Sequence, residues 1–264
     1  MRKLFLPCVA VILFSSCYTP RYSYAPTRVN APMLQHKGEV QANGSISALK
    51  GFDASGAYAI SSHFGAMLNS SWRNDHQEGN VGGSYEALAP DKIKYHRTAT
   101  DLGIGWFTRI DSSKWTFEIY GAYGRGKFSI SDTGNLRGSS GSPYKRYYDS
   151  KVDRIILQPA VGHNTPHTQW IFFVRVLAQR YFDIGTNYHT DELDRYLIPQ
   201  STSRYFTFIE PGLTFRFYLD AVPALGFETN FLISRPLSPN SIEAIPVQLS
   251  AGVHLRFQQL GRKN

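Results

Sequence analysis

Several sets of residues in this sequence have the types that chemistry uses. His254, with a carboxylate such as Glu210 or Glu228 brought beside it, would make the base-and-orienter pair of a hydrolase or acyltransferase. Held away from substrate, the same ring is a pairing histidine in an ionic network. His163 and His167 flank Pro166, and a proline turn between them denies the helical spacing that puts two imidazoles on one metal ion. His189, Asp191 and Glu192 in YHTDELDR offer donors to a cation or to a loop-borne hydrolytic site, and equally make a solvated loop. Gly121, Gly124 and Gly126 in GAYGRGK suggest a phosphate cradle, but the Walker spacing and a strand-to-helix context are missing, so they read as clearance for close packing. The aromatic and basic stretch Tyr144 to Arg154 suits the phosphates of a glycolipid or an interfacial belt. None of these sets completes a catalytic or metal-binding motif, and no cofactor is implied.

The elements that would position such residues follow from composition and periodicity. The chain has 264 residues, 42% hydrophobic, 18% charged and 14% aromatic, with 22 Gly and 14 Pro, which excludes a disordered tail and a collagen. Sixteen tyrosines and low charge suit β-structure. No apolar run is long enough for a helical membrane span.

The N-terminus has the layout of a secretory signal: basic Arg2 and Lys3, an apolar run from Leu4 to Phe14, then Ser15 and Ser16 before Cys17. It resembles a lipoprotein signal, residues 1–16, cleaved before a Cys17 whose thiol then carries lipid. Phe14 stands where such signals usually have an aliphatic residue, and an ordinary signal peptide cleaved nearby is the alternative. Cleavage removes Cys8, so Cys17 would be the only cysteine and no disulfide framework or thiolate metal cluster could form. The formal charge of +8 falls by two with Arg2 and Lys3. The remaining excess suits anionic headgroups, while secretion argues against nucleic acid as a partner. Three prolines and no periodicity make residues 17–36 read as a lipidated, extended tether.

From Lys37 to the end, apolar residues alternate with polar ones in ten runs separated by turn-forming clusters. In the last run Ile245, Val247, Leu249, Ala251, Val253, Leu255 and Phe257 oppose Pro246, Gln248, Ser250, Gly252, His254 and Arg256. Short turns are expected near 61–63, 108–114, 163–169 and 219–223, and longer loops near 74–94, 129–148, 183–202 and 235–243. An even number of antiparallel strands with turns at one end and loops at the other predicts an all-β, up-and-down barrel of the transmembrane type over residues 37–264. The tether would be anchored in the periplasmic leaflet, with both termini periplasmic on the short-turn side and the long loops outside.

Alternation alone does not say whether the apolar face meets lipid or a dry core, and a periplasmic lipid-binding barrel alternates as well. Three features favour lipid. Glycines crowd the polar face, as a narrow lumen requires. Trp106, Trp115 and Trp170 lie beside the short turns and Trp72 at the opposite end of its strand, as interfacial girdles do. The last strand carries Gly252, Leu255 and Phe257 in the spacing of the signal by which barrels are handed to the outer-membrane insertion machinery, although Gln258 to Asn264 follow it. The lumen would then hold Glu39, Asp53, Asp101, Glu118, Glu210 and Glu228 with Arg154, Arg175, Arg216, His254 and Arg256. Charges of both signs in a barrel this narrow predict a filled interior rather than an open pore.

The stretches SSCYTPRY, KGEVQANGSI, WTFEIYGAYGRGKF, ILQPAVGH and IEPGLTFRF make the chain similar to small Gram-negative outer-membrane β-barrel lipoproteins. That resemblance implies a barrel tethered at the outer membrane by its lipid and brings no catalytic residues. The functional expectation is a structural module, or one that binds a ligand or surface through its loops. The alternatives are a rim-sited hydrolase or acyltransferase, a narrow channel, and the periplasmic lipid-binding barrel.

Overall fold

The computed structural model describes residues 20–78, 88–110, 114–136, 142–238 and 242–257, apart from the side chain of Ala89. The signal segment, Cys17 and the tail after Phe257 lie outside the described residues. The strands are β1 (Val40–Ser47), β2 (Gly51–Ala59), β3 (Phe64–Glu78), β4 (Leu88–Ile110), β5 (Trp115–Leu136), β6 (Pro143–Asn164), β7 (Thr168–Thr186), β8 (Tyr205–Leu219), β9 (Val222–Ile233), the two-residue β10 (Arg235–Pro236) and β11 (Val247–Phe257). A short helix, α1 (Thr190–Arg195), sits between β7 and β8.

Every neighbouring pair is antiparallel. Two seams close the sheet into a ten-stranded barrel: β1 on β11, from Val40 opposite Phe257 to Ser47 opposite Ser250, and β8 on β9, from Gly212 opposite Leu232 to Leu219 opposite Val222. β10 prolongs β9 along β8, setting Arg235 opposite Ile209.

The apolar residues of the alternation point outward. Phe64, Leu68 and Trp72 on β3, Leu102, Ile104 and Trp106 on β4, Ile155 and Leu157 on β6, and Val247, Leu249, Val253 and Phe257 on β11 are all exposed. Rings of this size standing open around a whole barrel need an apolar medium. Trp106, Trp115 and Trp170 border the short-turn edge of the belt and Trp72 borders the loop edge; all four are exposed.

Strand lengths depart from the sequence reading. β1 and β2 have 8 and 9 residues, whereas β4, β5 and β6 have 23, 22 and 22 and run through much of what the alternation left as loops at 74–94 and 129–148. The physical reason is a change of phase within each strand. On β5 the odd positions Trp115, Phe117, Ile119 and Tyr123 are apolar and face out, but beyond Gly124 and Gly126 the even positions Phe128 and Ile130 are apolar and face in, with Lys127, Ser129 and Ser131 outside. The tall wall is therefore inverted, lipid-facing, along its lower half and built like a water-soluble barrel above. Its inner face carries an aromatic core of Tyr95, Phe128, Tyr148, Tyr181, Phe206 and Phe208.

The largest correction concerns residues 20–36, expected as a tether between lipid and barrel. They form a strap that threads the lumen from the long-loop end, where Pro20 lies, to the short-turn end, where His36 turns into β1. Arg21, Val29, Ala31, Met33 and Leu34 have 0% exposure. An extended segment without β-alternation can pair with the walls only through side chains and its own carbonyl and amide groups, and the lumen supplies partners for both.

Candidate functional site: the occupied lumen

The polar face of the barrel becomes a site because the strap completes it. At the loop end the Arg21 guanidinium donates to Asp132 Oδ2 at 2.9 and 3.1 Å and lies 3.8 Å over the Tyr196 ring. Tyr144 and Tyr188 also donate to Asp132, at 2.8 and 3.1 Å. One turn of chain deeper, the Tyr24 hydroxyl donates to Glu210 at 2.6 Å and its ring stacks on Phe208 at 3.9 Å. The backbone there is clamped as well: Ser23 and Tyr24 amides donate to the Glu243 carbonyl, and the Ile245 amide donates to that of Tyr24.

At mid-lumen Arg175 bridges Glu210 (2.5 Å) and the Thr27 carbonyl (2.9 Å), and Arg154 donates to the Thr27 hydroxyl (3.1 Å). Glu228 is shared by Arg28 from the strap (2.6 Å) and Arg216 from β8 (2.7 Å). Arg216 also donates to the Ala31 carbonyl, and Gln158 to that of Asn30, at 2.9 and 2.7 Å. Toward the turns, Glu118 accepts the Met33 amide at 2.7 Å, and Glu39 takes the Gln35 amide (2.8 Å) and Arg256 (2.9 Å).

Charge balance explains why the strap belongs there. Among the described residues the inward wall carries the carboxylates Glu39, Asp53, Asp75, Asp101, Glu118, Asp132, Glu210 and Glu228 against the guanidinium groups of Arg73, Arg97, Arg154, Arg175, Arg216 and Arg256, while Arg146 on the same face is taken up by Glu192 of α1. The wall is short of two cations, and Arg21 and Arg28 are the two that the strap brings. Apolar fit accompanies it: Val29, Ala31 and Met33 pack with Ala160, Ile171, Phe173 and Leu232. Two glycines make room. A Cβ on Gly162 would stand 2.8 Å from Met33 Sδ, and one on Gly65 would stand 2.6 Å from Leu34 Cδ1. Two cavities alongside the strap hold only about 30 and 10 Å³, and open space returns at the short-turn mouth as a vestibule of about 540 Å³ beside Gln35, Arg109 and Arg256.

The residues expected in the lumen, Glu39, Asp53, Asp101, Glu118, Arg154, Arg175, Glu210, Arg216, Glu228, His254 and Arg256, all lie on the inward face. What the sequence reading missed is Arg21, Tyr24 and Arg28 from the supposed tether, and Asp132 and Arg73 from the wall. The signal available was the pair of arginines and the apolar Val29, Met33 and Leu34 in a stretch otherwise read as linker.

His254 is 2% exposed, 3.9 Å from Glu228 and 5.9 Å from the Tyr218 ring, and neither of its ring nitrogens has a hydrogen-bond partner among the described residues. Enclosed in this way it has no approach for a substrate. His163 lies 4.9 Å from the Trp115 ring, while His167 meets Asp220 of the neighbouring turn at 2.6 Å, so the two do not converge. Glu192 closes the first turn of α1 by accepting the His189 amide at 2.9 Å and is held by Arg146 at 2.9 and 3.0 Å. Gly124 and Gly126 face the lumen, where a Cβ on Gly124 would collide with Asp101. In the Tyr144–Arg154 stretch, Tyr144, Tyr148 and Arg154 face in; Asp153, on the outer face, is clasped by Arg125 (3.0 Å) and Arg180 (2.5 Å).

No protein-family model and no curated protein matches the chain. Three of the solved structures that match are outer-membrane β-barrels. The translocator domain of the autotransporter NalP from Neisseria meningitidis is 11% identical with a TM-score of 0.47, covering 83% of this chain and 86% of its own. The outer membrane protease OmpT from Escherichia coli is 7% identical with a TM-score of 0.48, covering 83% and 93%. LpxR from Salmonella typhimurium is 6% identical with a TM-score of 0.33, covering 83% and 99%. At these values they transfer neither activity nor residues to the chain.

Proposed function

We propose that this protein is an outer-membrane barrel that plugs its own lumen and serves as a rigid, non-conducting support for a loop-built surface, acting as a structural or binding module rather than a pore or a rim enzyme. The observation that carries this reading is the strap, buried along the lumen between the two mouths and matched to the wall in charge. The exposed apolar belt supports a position in lipid, since a charge on its mid-height would cost about 2–4 kcal/mol whereas rings and aliphatic chains cost nothing there. Signal cleavage, acylation of Cys17 and delivery by the insertion machinery through Gly252, Leu255 and Phe257 belong to the same proposal, as do outer-membrane lipids as its partners. The loop side would face outward, because the tall soluble-type wall, α1 and the longer connections all lie there.

The test joins two measurements on the detergent-extracted full chain. Unheated protein is expected to run on a denaturing gel as a compact band that shifts only after boiling, and in planar bilayers it is expected to be silent. Steady ion conductance would overturn the support reading in favour of a channel. Release into the aqueous fraction without detergent would place the barrel outside the membrane.

A further inference from the structure

We propose that the loop-side edge of the apolar belt carries a lipid-phosphate site: a patch on the outside of β5, β6 and β7 takes the phosphate of a lipid headgroup while the acyl chains lie on the belt beneath. This rests on the position in lipid proposed above and gives the barrel a defined partner on its outer wall.

The apolar outward residues that end the belt here are Tyr123 on β5 and Ile155 on β6, each about half exposed. Next along the same outward faces stand Arg125 and Lys127 on β5, Asp153 and Lys151 on β6, and Arg180 on β7. Register sets them side by side: Arg125 and Arg180 both lie opposite Asp153, and Lys127 lies opposite Lys151. Two residues along a strand climb about 5 Å at a tilt of roughly 35–45°, and the headgroup layer is about 5–7 Å deep on each side of the hydrocarbon. The two basic rows therefore span that layer.

The charges of the patch do not close on themselves. Asp153 is 2% exposed although it faces outward, because Arg125, Arg180 and the Tyr123 hydroxyl (2.8 Å) enclose it. One carboxylate against two guanidinium groups leaves a positive charge. Lys151 is neutralised by Asp183 at 2.6 Å, further from the belt, and Asp149 stands one row beyond Lys151. Lys127 has no ion-pair partner among the described residues, which leaves a second positive charge. Arg125 engages only its Nε, with Asp153 and Tyr123 at 3.0 Å each, and its side chain is 69% exposed, so the terminal nitrogens are open. The Tyr123 and Phe182 rings lie 6.0 and 5.9 Å from that guanidinium.

Like charges opposite each other on adjacent strands destabilise a sheet, and an anion beside Lys127 and Lys151 removes that cost. A phosphate group supplies about one to two negative charges and acceptor oxygens that match a guanidinium fork. Attachment to acyl chains lets the same molecule cover Tyr123 and Ile155.

The test is native mass spectrometry of the full chain in detergent, stripped of co-purified lipid and titrated with dioctanoyl phosphatidic acid or with dioctanoyl phosphatidylcholine, whose choline cancels the phosphate charge. One phosphatidic acid is expected to stay on the barrel at concentrations where phosphatidylcholine leaves it bare. Arg125→Gln/Lys127→Gln, which keeps Arg180 on Asp153, is expected to weaken that binding roughly tenfold to thirtyfold. Arg109→Gln/Lys114→Gln removes the same charge from the short-turn edge and is expected to leave it unchanged. Equal weakening by both pairs, or equal retention of phosphatidylcholine, would overturn the site. Displacement by inorganic phosphate at the same concentration would overturn the lipid assignment in favour of a free anion. A heat-shifted band for each variant confirms the fold, and a parent barrel that leaves membranes without detergent would overturn the position in lipid, a separate failure.

Discussion

Glu228 accepts from Arg28 and Arg216 at once, one from the strap and one from the wall, and all three side chains are buried. Buried ion pairs contribute little against a well-packed apolar replacement, but removing one partner strands the other charge. Glu228→Ala leaves two guanidinium groups without their carboxylate and is expected to cost about 3–5 kcal/mol, read as a lower temperature for the compact-to-unfolded shift on a gel. Asp132→Asn tests the other end. It keeps the shape but removes the charge that holds the buried Arg21 and leaves one acceptor oxygen where Tyr144 and Tyr188 used two, so the barrel should still fold but shift at a lower temperature. Proteolysis in detergent should then cut the strap near Arg21 faster than in the parent chain. An unchanged cleavage rate would mean that the stacked Tyr196 ring and the Glu243 backbone clamp suffice.

At the scale of elements, the lower and upper halves of the long strands obey opposite rules, and substitutions should report it. Val174→Lys places a charge on the lipid face of β7 and is expected to cost about 2–4 kcal/mol. Lys127→Ala, on the outward face of β5 above the belt, should change stability by no more than about 0.5 kcal/mol. Phe128→Ala, one residue further on and pointing inward to Tyr148 and Tyr181, should cost about 3–5 kcal/mol. Equal losses for Lys127→Ala and Val174→Lys would place the belt edge elsewhere. This reversal of phase is also why the strands were only half legible in the sequence. Alternation in β11 or the lower part of β7 runs unbroken, so strand number, pairing order and outward face can be read from it. In β4 and β5 the pattern flips near Thr98–Thr100 and Gly124–Gly126, and a two-residue period that changes phase looks like a period that stops. The strap carried no period at all. Its identity depends on matching Arg21 and Arg28 to carboxylates more than a hundred residues away, which no local pattern encodes.

For the whole molecule, the barrel and its N-terminal segment form one object: a membrane-facing exterior, an interior short of two positive charges, and a segment that supplies both. Without it the lumen would hold uncompensated carboxylates and open space from mouth to mouth. A chain lacking residues 21–34 that still shows a heat-shifted band is therefore expected to conduct, whereas the intact chain does not. The most direct measurement is a covalent one. Met33 of the strap lies against Gly162 of β6: its Cγ is 3.1 Å from where a Cβ on Gly162 would stand, which brings cysteines at both positions within reach of a disulfide, whose Cβ atoms lie about 3.5–4.5 Å apart. In the double variant Met33→Cys/Gly162→Cys, mild oxidation of the folded protein in membranes should join the two peptides quantitatively, as seen by mass spectrometry after digestion. Two free, reagent-accessible thiols in a barrel that still shows the heat shift would mean that the segment lies outside the lumen.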